Sequence, residues 1–158
     1  MGSDGFKHYP APHEIDQWVE SLWESADSLD CRAEVLKFNA NTHVMGNHHN
    51  NEFTYVKFSP AGGGEFYGYW QPAHAHPAPL LVHVPGYGAE MSTHPELVFQ
   101  GFHVLHISPL GYATPSGPDE SKKKDGNWPV LPDTAASYGK SGYREWLLNC
   151  MLAVRWAQ

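Results

Sequence analysis

The sequence has little cysteine and lacks an excess of positive charge. Its 2 Cys among 158 residues, Cys31 and Cys150, form no Cys-x-x-Cys pair, which excludes a disulfide framework and any thiolate zinc site or redox motif built from them alone. We expect two reduced, partly buried thiols. Because 10 Lys plus Arg face 17 Asp plus Glu, the formal charge of −7 argues against nucleic acid as a partner. The one basic run, Lys122-Lys123-Lys124, is flanked by acidic residues and is predicted to be a solvated loop.

Long apolar runs and a secretory leader are also missing. The N-terminus has no positive region followed by an apolar stretch, so no signal peptide is indicated. The longest apolar runs fall far short of the roughly 18 residues that span a bilayer. We therefore predict a cytoplasmic protein with no membrane partner.

The first half of the chain carries two kinds of periodicity. From Ile15 to Ala26 the apolar residues recur at offsets 0, 3, 4, 7, 8 and 11, which predicts an amphipathic helix with two Trp as packing anchors. Ala33 to Phe38, Phe53 to Phe58 and Glu65 to Trp70 are rich in β-branched and aromatic residues. They predict a small antiparallel meander, and Asn39 to Asn51 is predicted to be a polar loop.

The second half predicts a strand, a helix and a second strand. Leu80 to Val84 is a nearly continuous apolar run, typical of a strand buried on both faces. Ser92 begins a helix-start pattern with a hydroxyl cap and an early Pro, and Gly101 is suited to end that helix. Phe102 to Ile107 is the second apolar strand, and the crossover rule makes the two strands parallel.

A Pro- and Gly-rich loop from about Ser108 to about Tyr138 is too long for a simple connection, and is expected to be functional or packed by its own residues. Tyr143 to Val154 then repeats the helical offsets and predicts a final helix packed on a sheet. The fold class is therefore α/β. We treat residues 1–158 as one domain, with the first helix and strand in residues 1–52 and the core in residues 53–158.

The turn after the first apolar strand reads Pro85-Gly86-Tyr87-Gly88. Ligands of open α/β sheets bind outside the carboxyl ends of parallel strands, and the two glycines leave the Tyr87 N–H free to point outward. A donor fixed at such a point is what an oxyanion hole requires.

Residues 53–158 resemble the opening of an α/β-hydrolase, in the esterase and prolyl-peptidase branches. The likeness is carried by Gly64 to Pro72, by Pro79 to Gly88, by Phe99 to Pro109 and by Tyr143 to Trp156. Acetyl xylan esterases and cephalosporin C deacetylases are the most similar families. The resemblance implies an ester substrate, a small molecule or carbohydrate, and gives the Tyr87 backbone N–H a place in the oxyanion hole.

The nucleophile that this family requires is missing. No Gly-x-Ser-x-Gly elbow occurs, and the spacing of Gly139-Lys140-Ser141-Gly142 does not fit one. The resemblance therefore implies the N-terminal portion of a serine hydrolase whose Ser, acid and His are not in this chain. Alone it is predicted to be inactive, to need its C-terminal half or another chain to complete the fold, and to use no cofactor and no metal.

Two alternatives come from other residue types. His74 and His76 on an extended segment, with His48 and His49 in a polar loop, would suit a metal site, although their spacing matches no ligand motif. The strand histidines are interpreted as core residues; they are His83, His103 and His106. A non-enzymatic module that binds carbohydrate or a protein partner would instead use aromatic faces, and for these we considered Trp70, Tyr112 and Trp128.

Overall fold

The computed structural model describes residues 10–36, 54–84, 94–129 and 142–158. They form a mixed α/β structure with a five-stranded, mostly antiparallel sheet. The elements are α1 (Pro12–Ser28), β1 (Cys31–Leu36), β2 (Thr54–Pro60), β3 (Phe66–Gln71), β4 (Leu80–His83), α2 (Pro95–Phe99), β5 (His103–Ser108), β6 (Ala113–Thr114), β7 (Gly117–Pro118), a 3₁₀ turn (Glu120–Lys122) and α3 (Gly142–Ala157).

The strand order in the main sheet is β1-β2-β3-β5-β4. The first three strands form the predicted antiparallel meander. β5 then pairs antiparallel with β3 and parallel with β4, so the chain crosses over through α2 between the two parallel strands. The predicted strand-helix-strand unit is confirmed.

β4 departs from its prediction. All four of its residues, Leu80 to His83, are only half-buried, because β4 is the last strand of the sheet in the described part of the chain. A continuous apolar run is typical of a strand covered on both faces, but it does not indicate whether another strand pairs with each of its two edges.

The two ends of α2 can be compared with the helix-start and helix-end patterns of the sequence. Its N-cap is His94, which makes no side-chain cap bond; Ser92 lies outside the described residues. Gly101, with φ +94°, follows the helix, and its N–H donates to the carbonyl of Val98 at 3.0 Å. The left-handed termination is therefore confirmed.

The two faces of the main sheet have different partners. One face packs against α3, with Phe58, Leu105 and Leu152 among its buried residues. On the other face Tyr55 and Tyr69 lie in a second buried cluster, with Tyr112. This second face also holds the polar side chains described below.

The two long helices differ from their predicted apolar stripes. On α1, Trp18 stacks with Tyr143 at a centroid distance of 6.4 Å, but Trp23 is 59% exposed and is no packing anchor in the described structure. On α3, the buried residues include Asn149, whose side-chain amide donates to the carbonyl of Pro109 at 2.7 Å. A polar contact therefore helps to determine which side of α3 is buried, and such a contact cannot be predicted from the spacing of apolar residues.

The described part of the long loop is packed by its own side chains, as predicted. The Tyr112 hydroxyl donates to the carbonyl of Pro129 at 2.9 Å, and the Trp128 indole donates to the carbonyl of Asp119 at 3.1 Å. Lys122 donates from Nζ to the carbonyl of Leu110 at 2.8 Å. The loop therefore has a fixed shape up to residue 129.

Three smaller predictions are also tested. Both cysteines are free thiols, with Cys31 half-buried and Cys150 buried. Lys122 and Lys123 make local contacts with a carbonyl and with Glu120, as expected of loop residues. No helix in the described ranges has the length and apolar character needed to cross a membrane.

Candidate functional site

Two histidines are brought together by the parallel pair of strands. His83 ends β4, and its register partner in β5 is His106. Register partners on neighbouring strands project to the same face of a sheet. The pairing Tyr55↔Tyr69↔His106↔His83 therefore forms one continuous row across β2, β3, β5 and β4, on the face opposite α3.

A third histidine reaches this row from the start of α2. The backbone N–H of His94 donates to Oε1 of Gln71 at 2.9 Å, and Gln71 is the last residue of β3, 1% exposed. This bond holds the start of α2 over the sheet face that carries the row, because Gln71 projects to the same face as Tyr69 two residues earlier in β3. The His94 side chain, 20% exposed, keeps contact with solvent.

The three imidazoles converge through single ring nitrogens. His83 Nδ1 lies 2.7 Å from His106 Nδ1 and 3.2 Å from His94 Nε2. One nitrogen from each ring lies within 4.8 Å of the other two. We call these residues, His83, His94 and His106, the three-histidine cluster.

The surroundings favour a neutral His83 ring and a defined tautomer of His94. Burial, and secondly the neighbouring His94, lower the pKa of His83 below its usual value, so the ring is neutral at pH 7. Glu96 Oε1 lies 3.1 Å from His94 Nδ1. A proton on that Nδ1 is donated to the carboxylate, which leaves the Nε2 lone pair facing the cluster.

The residue predicted for the oxyanion hole lies outside the described part of the chain. Tyr87 follows β4 within residues 85–93, so its role remains a prediction. His48, His49 and Ser141 also lie outside the described residues.

The other histidines considered do not join the cluster. His74 and His76 are exposed. His103 has its Nδ1 3.0 Å from the Ala73 N–H, which donates to it, and its ring stacks on Trp70 at a centroid distance of 5.1 Å. His103 therefore has the structural role predicted for it, whereas His83 and His106 have polar partners that the sequence did not indicate.

The aromatic residues considered for stacking are engaged within the fold. Trp70 meets Trp156 edge to face at 5.8 Å, and Tyr112 is 8% exposed. The ammonium of Lys123 lies 4.1 Å above the ring of Trp128. Each of the three therefore has a packing role within the fold.

Sequence reasoning missed the three-histidine cluster because its spacing matches no ligand motif. His94 stands 11 residues after His83 and 12 before His106. One signal was present: a histidine near the end of each parallel strand and another at the start of the helix between them. Parallel strands end at the same edge of a sheet, so this topology alone brings those three positions near one another.

Comparison with known proteins assigns no family to the chain. No family model matches the sequence, and no curated protein matches it.

Proposed function

We propose that this chain is the N-terminal part of a serine hydrolase of the α/β-hydrolase type, a carboxylesterase that acts on esters such as acetylated sugars. The observation that carries the proposal is the β4-α2-β5 crossover, which follows an antiparallel meander and creates a parallel pair at one end of the described sheet. That is the order of elements on which the sequence resemblance depends.

The position of the crossover supports a site at the carboxyl ends of β4 and β5. Open α/β sheets bind ligands at this edge. Tyr87 comes four residues after His83, the end of β4, so a donor in this turn belongs to that edge in the proposal. His83 ends β4, and His94 Nε2 lies 3.2 Å from its Nδ1, so polar side chains lie beside the carboxyl end of β4.

The position of α3 supports a continuing sheet. Leu152 and Ala153 pack on the sheet core beside Phe58. A helix packed in this way after a strand leads in α/β folds to a further parallel strand. In the proposal that strand pairs with β4 and carries the nucleophile on the turn that follows it.

The chemistry is acyl transfer to serine and then to water. The serine oxygen attacks the ester carbonyl while histidine takes its proton, and the negative charge that develops on the carbonyl oxygen is held by backbone N–H groups, one from Tyr87. Collapse of the tetrahedral intermediate expels the alcohol, which takes the proton from histidine. Water then repeats the sequence and releases the acid. The 158 residues contain no Gly-x-Ser-x-Gly, so the chain alone has no triad chemistry in this proposal.

The first experiment asks whether a nucleophile elbow follows. We would sequence the gene beyond codon 158, express the longer product and measure hydrolysis of p-nitrophenyl acetate. A Gly-x-Ser-x-Gly soon after Gln158, with turnover abolished by the Ser→Ala change, is expected. A stop codon at that point with a stable, monomeric product would overturn the proposal, and so would activity of the 158-residue chain that Ser141→Ala abolishes.

The second experiment tests the donor in the longer, active protein. Tyr87→Pro removes the backbone N–H, whereas the matched control Tyr87→Ala removes the side chain and keeps the N–H. Loss of one oxyanion-hole donor costs about 10²–10³ in kcat, and we expect this loss for Tyr87→Pro alone. Equal activity of the two variants would remove Tyr87 from the oxyanion hole.

A further inference from the structure

We propose that the three-histidine cluster is a zinc site, in which His83, His94 and His106 each contribute one ring nitrogen. The three residues come from two paired strands and the helix between them. The facing atoms are His83 Nδ1, His94 Nε2 and His106 Nδ1. This inference requires only residues of the present chain and is independent of the serine chemistry proposed above.

Two of the three nitrogen separations are close to those of a tetrahedral ion, and the third, between His94 Nε2 and His106 Nδ1, is within 4.8 Å. Zn–N bonds of about 2.0–2.1 Å at tetrahedral angles place two ligand nitrogens about 3.3 Å apart. The separation of His83 Nδ1 from His94 Nε2 is already 3.2 Å. The 2.7 Å between His83 Nδ1 and His106 Nδ1 must lengthen by about 0.6 Å when the ion binds.

The proton balance of binding is simple. At 2.7 Å the two Nδ1 atoms of His83 and His106 share one proton in a hydrogen bond. Zinc takes the place of that proton between the rings, and the imidazole that carried it becomes the Nε2–H tautomer. All three ligands are then neutral imidazoles, the form in which histidine binds zinc.

An outer-shell contact orients His94, the ligand that lies outside the sheet. Metal-bound histidines usually donate their second ring N–H to a carboxylate or carbonyl. Glu96 lies 3.1 Å from His94 Nδ1 and supplies that acceptor, while Gln71 holds the His94 backbone at 2.9 Å. His94 is therefore positioned from both its main chain and its side chain.

The ligand set leaves one position for an exchangeable group. Structural zinc sites have four protein ligands, whereas three protein ligands plus water are typical of zinc sites that act on substrates. His106 is 2% exposed, whereas His83 and His94 are half-buried, so the open side of the cluster is the solvent side. We assign the fourth position to water.

The test is a zinc titration of the metal-free 158-residue chain in competition with a chromophoric chelator. One ion per chain is expected to bind to the wild type. His94→Ala is expected to weaken binding by more than the 10–100-fold typical of outer-shell changes, and Glu96→Ala by about 10-fold. Glu96 is exposed and His94 is only half-buried, so circular dichroism should show both variants folded.

The control variant removes three exposed histidines that lie outside the cluster. The triple variant His13→Ala/His74→Ala/His76→Ala should bind zinc as the wild type does. Absence of stoichiometric binding by the wild type, or binding that survives in His94→Ala and is lost in the triple variant, would overturn the proposal.

X-ray absorption on the zinc-loaded wild type tests the ligand set without any substitution. Three imidazole nitrogens and one further light-atom ligand are expected at about 2.0–2.1 Å. A sulfur ligand, or fewer than three imidazoles, would contradict the assignment even if zinc binds tightly.

Discussion

Arg155 near the end of α3 is predicted to hold α1 against the rest of the fold. Its Nη1 donates to the carbonyl of Ala26 and, at 3.1 Å, to the carbonyl of Asp27. Both carbonyls belong to the last turn of α1, whose acceptors have no partner within the helix, and α1 has no basic residue of its own there. Arg155→Met keeps most of the aliphatic stem and removes the charge and the donors.

The expected loss is about 2–3 kcal/mol. A hydrogen bond from a charged donor contributes roughly 1.5–3 kcal/mol when it is protected, and an exposed one at most about 1 kcal/mol. The bond to Ala26 is part-buried and the bond to Asp27 is exposed. For a protein of this size the loss corresponds to a fall in Tm of roughly 4–12 °C.

The assay is urea unfolding followed by tryptophan fluorescence and far-ultraviolet circular dichroism. The matched control is Arg32→Met, which removes the same charge from an exposed position on β1 and should change stability by no more than about 0.5 kcal/mol. If Arg155→Met is as mild as Arg32→Met, the contact with α1 does not stabilise the fold and the reasoning is refuted.

Three further predictions concern a thiol, a glycine and a histidine. Burial raises the pKa of Cys150 to about 12, so iodoacetamide at pH 8 should label it in urea but not in the folded chain, and mass spectrometry would detect any labelling of the native thiol. Gly111→Ala should destabilise far more than Gly62→Ala in urea unfolding: both glycines have positive φ, but of the two only Gly111 has a backbone atom, the Glu65 carbonyl oxygen, where a Cβ would lie. Equal losses in the free energy of unfolding would show that the positive φ alone, and not the contact with Glu65, sets the cost of the substitution. Desolvation, and secondly a neighbouring histidine, lower the pKa of His103. The neutral His103 ring therefore contributes fully to stability above the usual pKa of about 6.5, and this contribution is lost as the pH falls below that value. An NMR titration that places the pKa of His103 above 6.5 would contradict the prediction.

The elements with strong periodicity could be predicted from the sequence. The α1 pattern from Ile15 to Ala26 and the alternating strands of the meander each contain enough turns or pairs for the period to be unambiguous. Gly101 was also predictable, because its φ of +94° is a conformation that few other residues adopt. Burial was less predictable: Trp23 on the α1 stripe is 59% exposed, since burial depends on which element covers the stripe.

The site that the sequence predicts, at Tyr87, lies outside the described residues and stays a prediction. A turn after a parallel strand lies at the carboxyl edge of the sheet, and Tyr87 in such a turn is the residue for which the sequence predicts a role. The histidines at the same edge were interpreted as core residues, since an imidazole in an apolar strand usually has a structural role. The sequence predicted no functional role for His94, because a residue just before a short helix belongs to no periodic pattern.

The sequence by itself determined the local structure and the class of the fold, because helix and strand periods, turn glycines and the crossover rule act over a few residues or one strand-helix-strand unit. Only the tertiary structure decided which side chains meet. Because β5 lies between β3 and β4, His106 is beside His83. The hydrogen bond that the His94 N–H donates to the Gln71 side chain then places His94 beside both histidines. Those contacts depend on strand order and register, which are properties of the assembled sheet and not of any one segment.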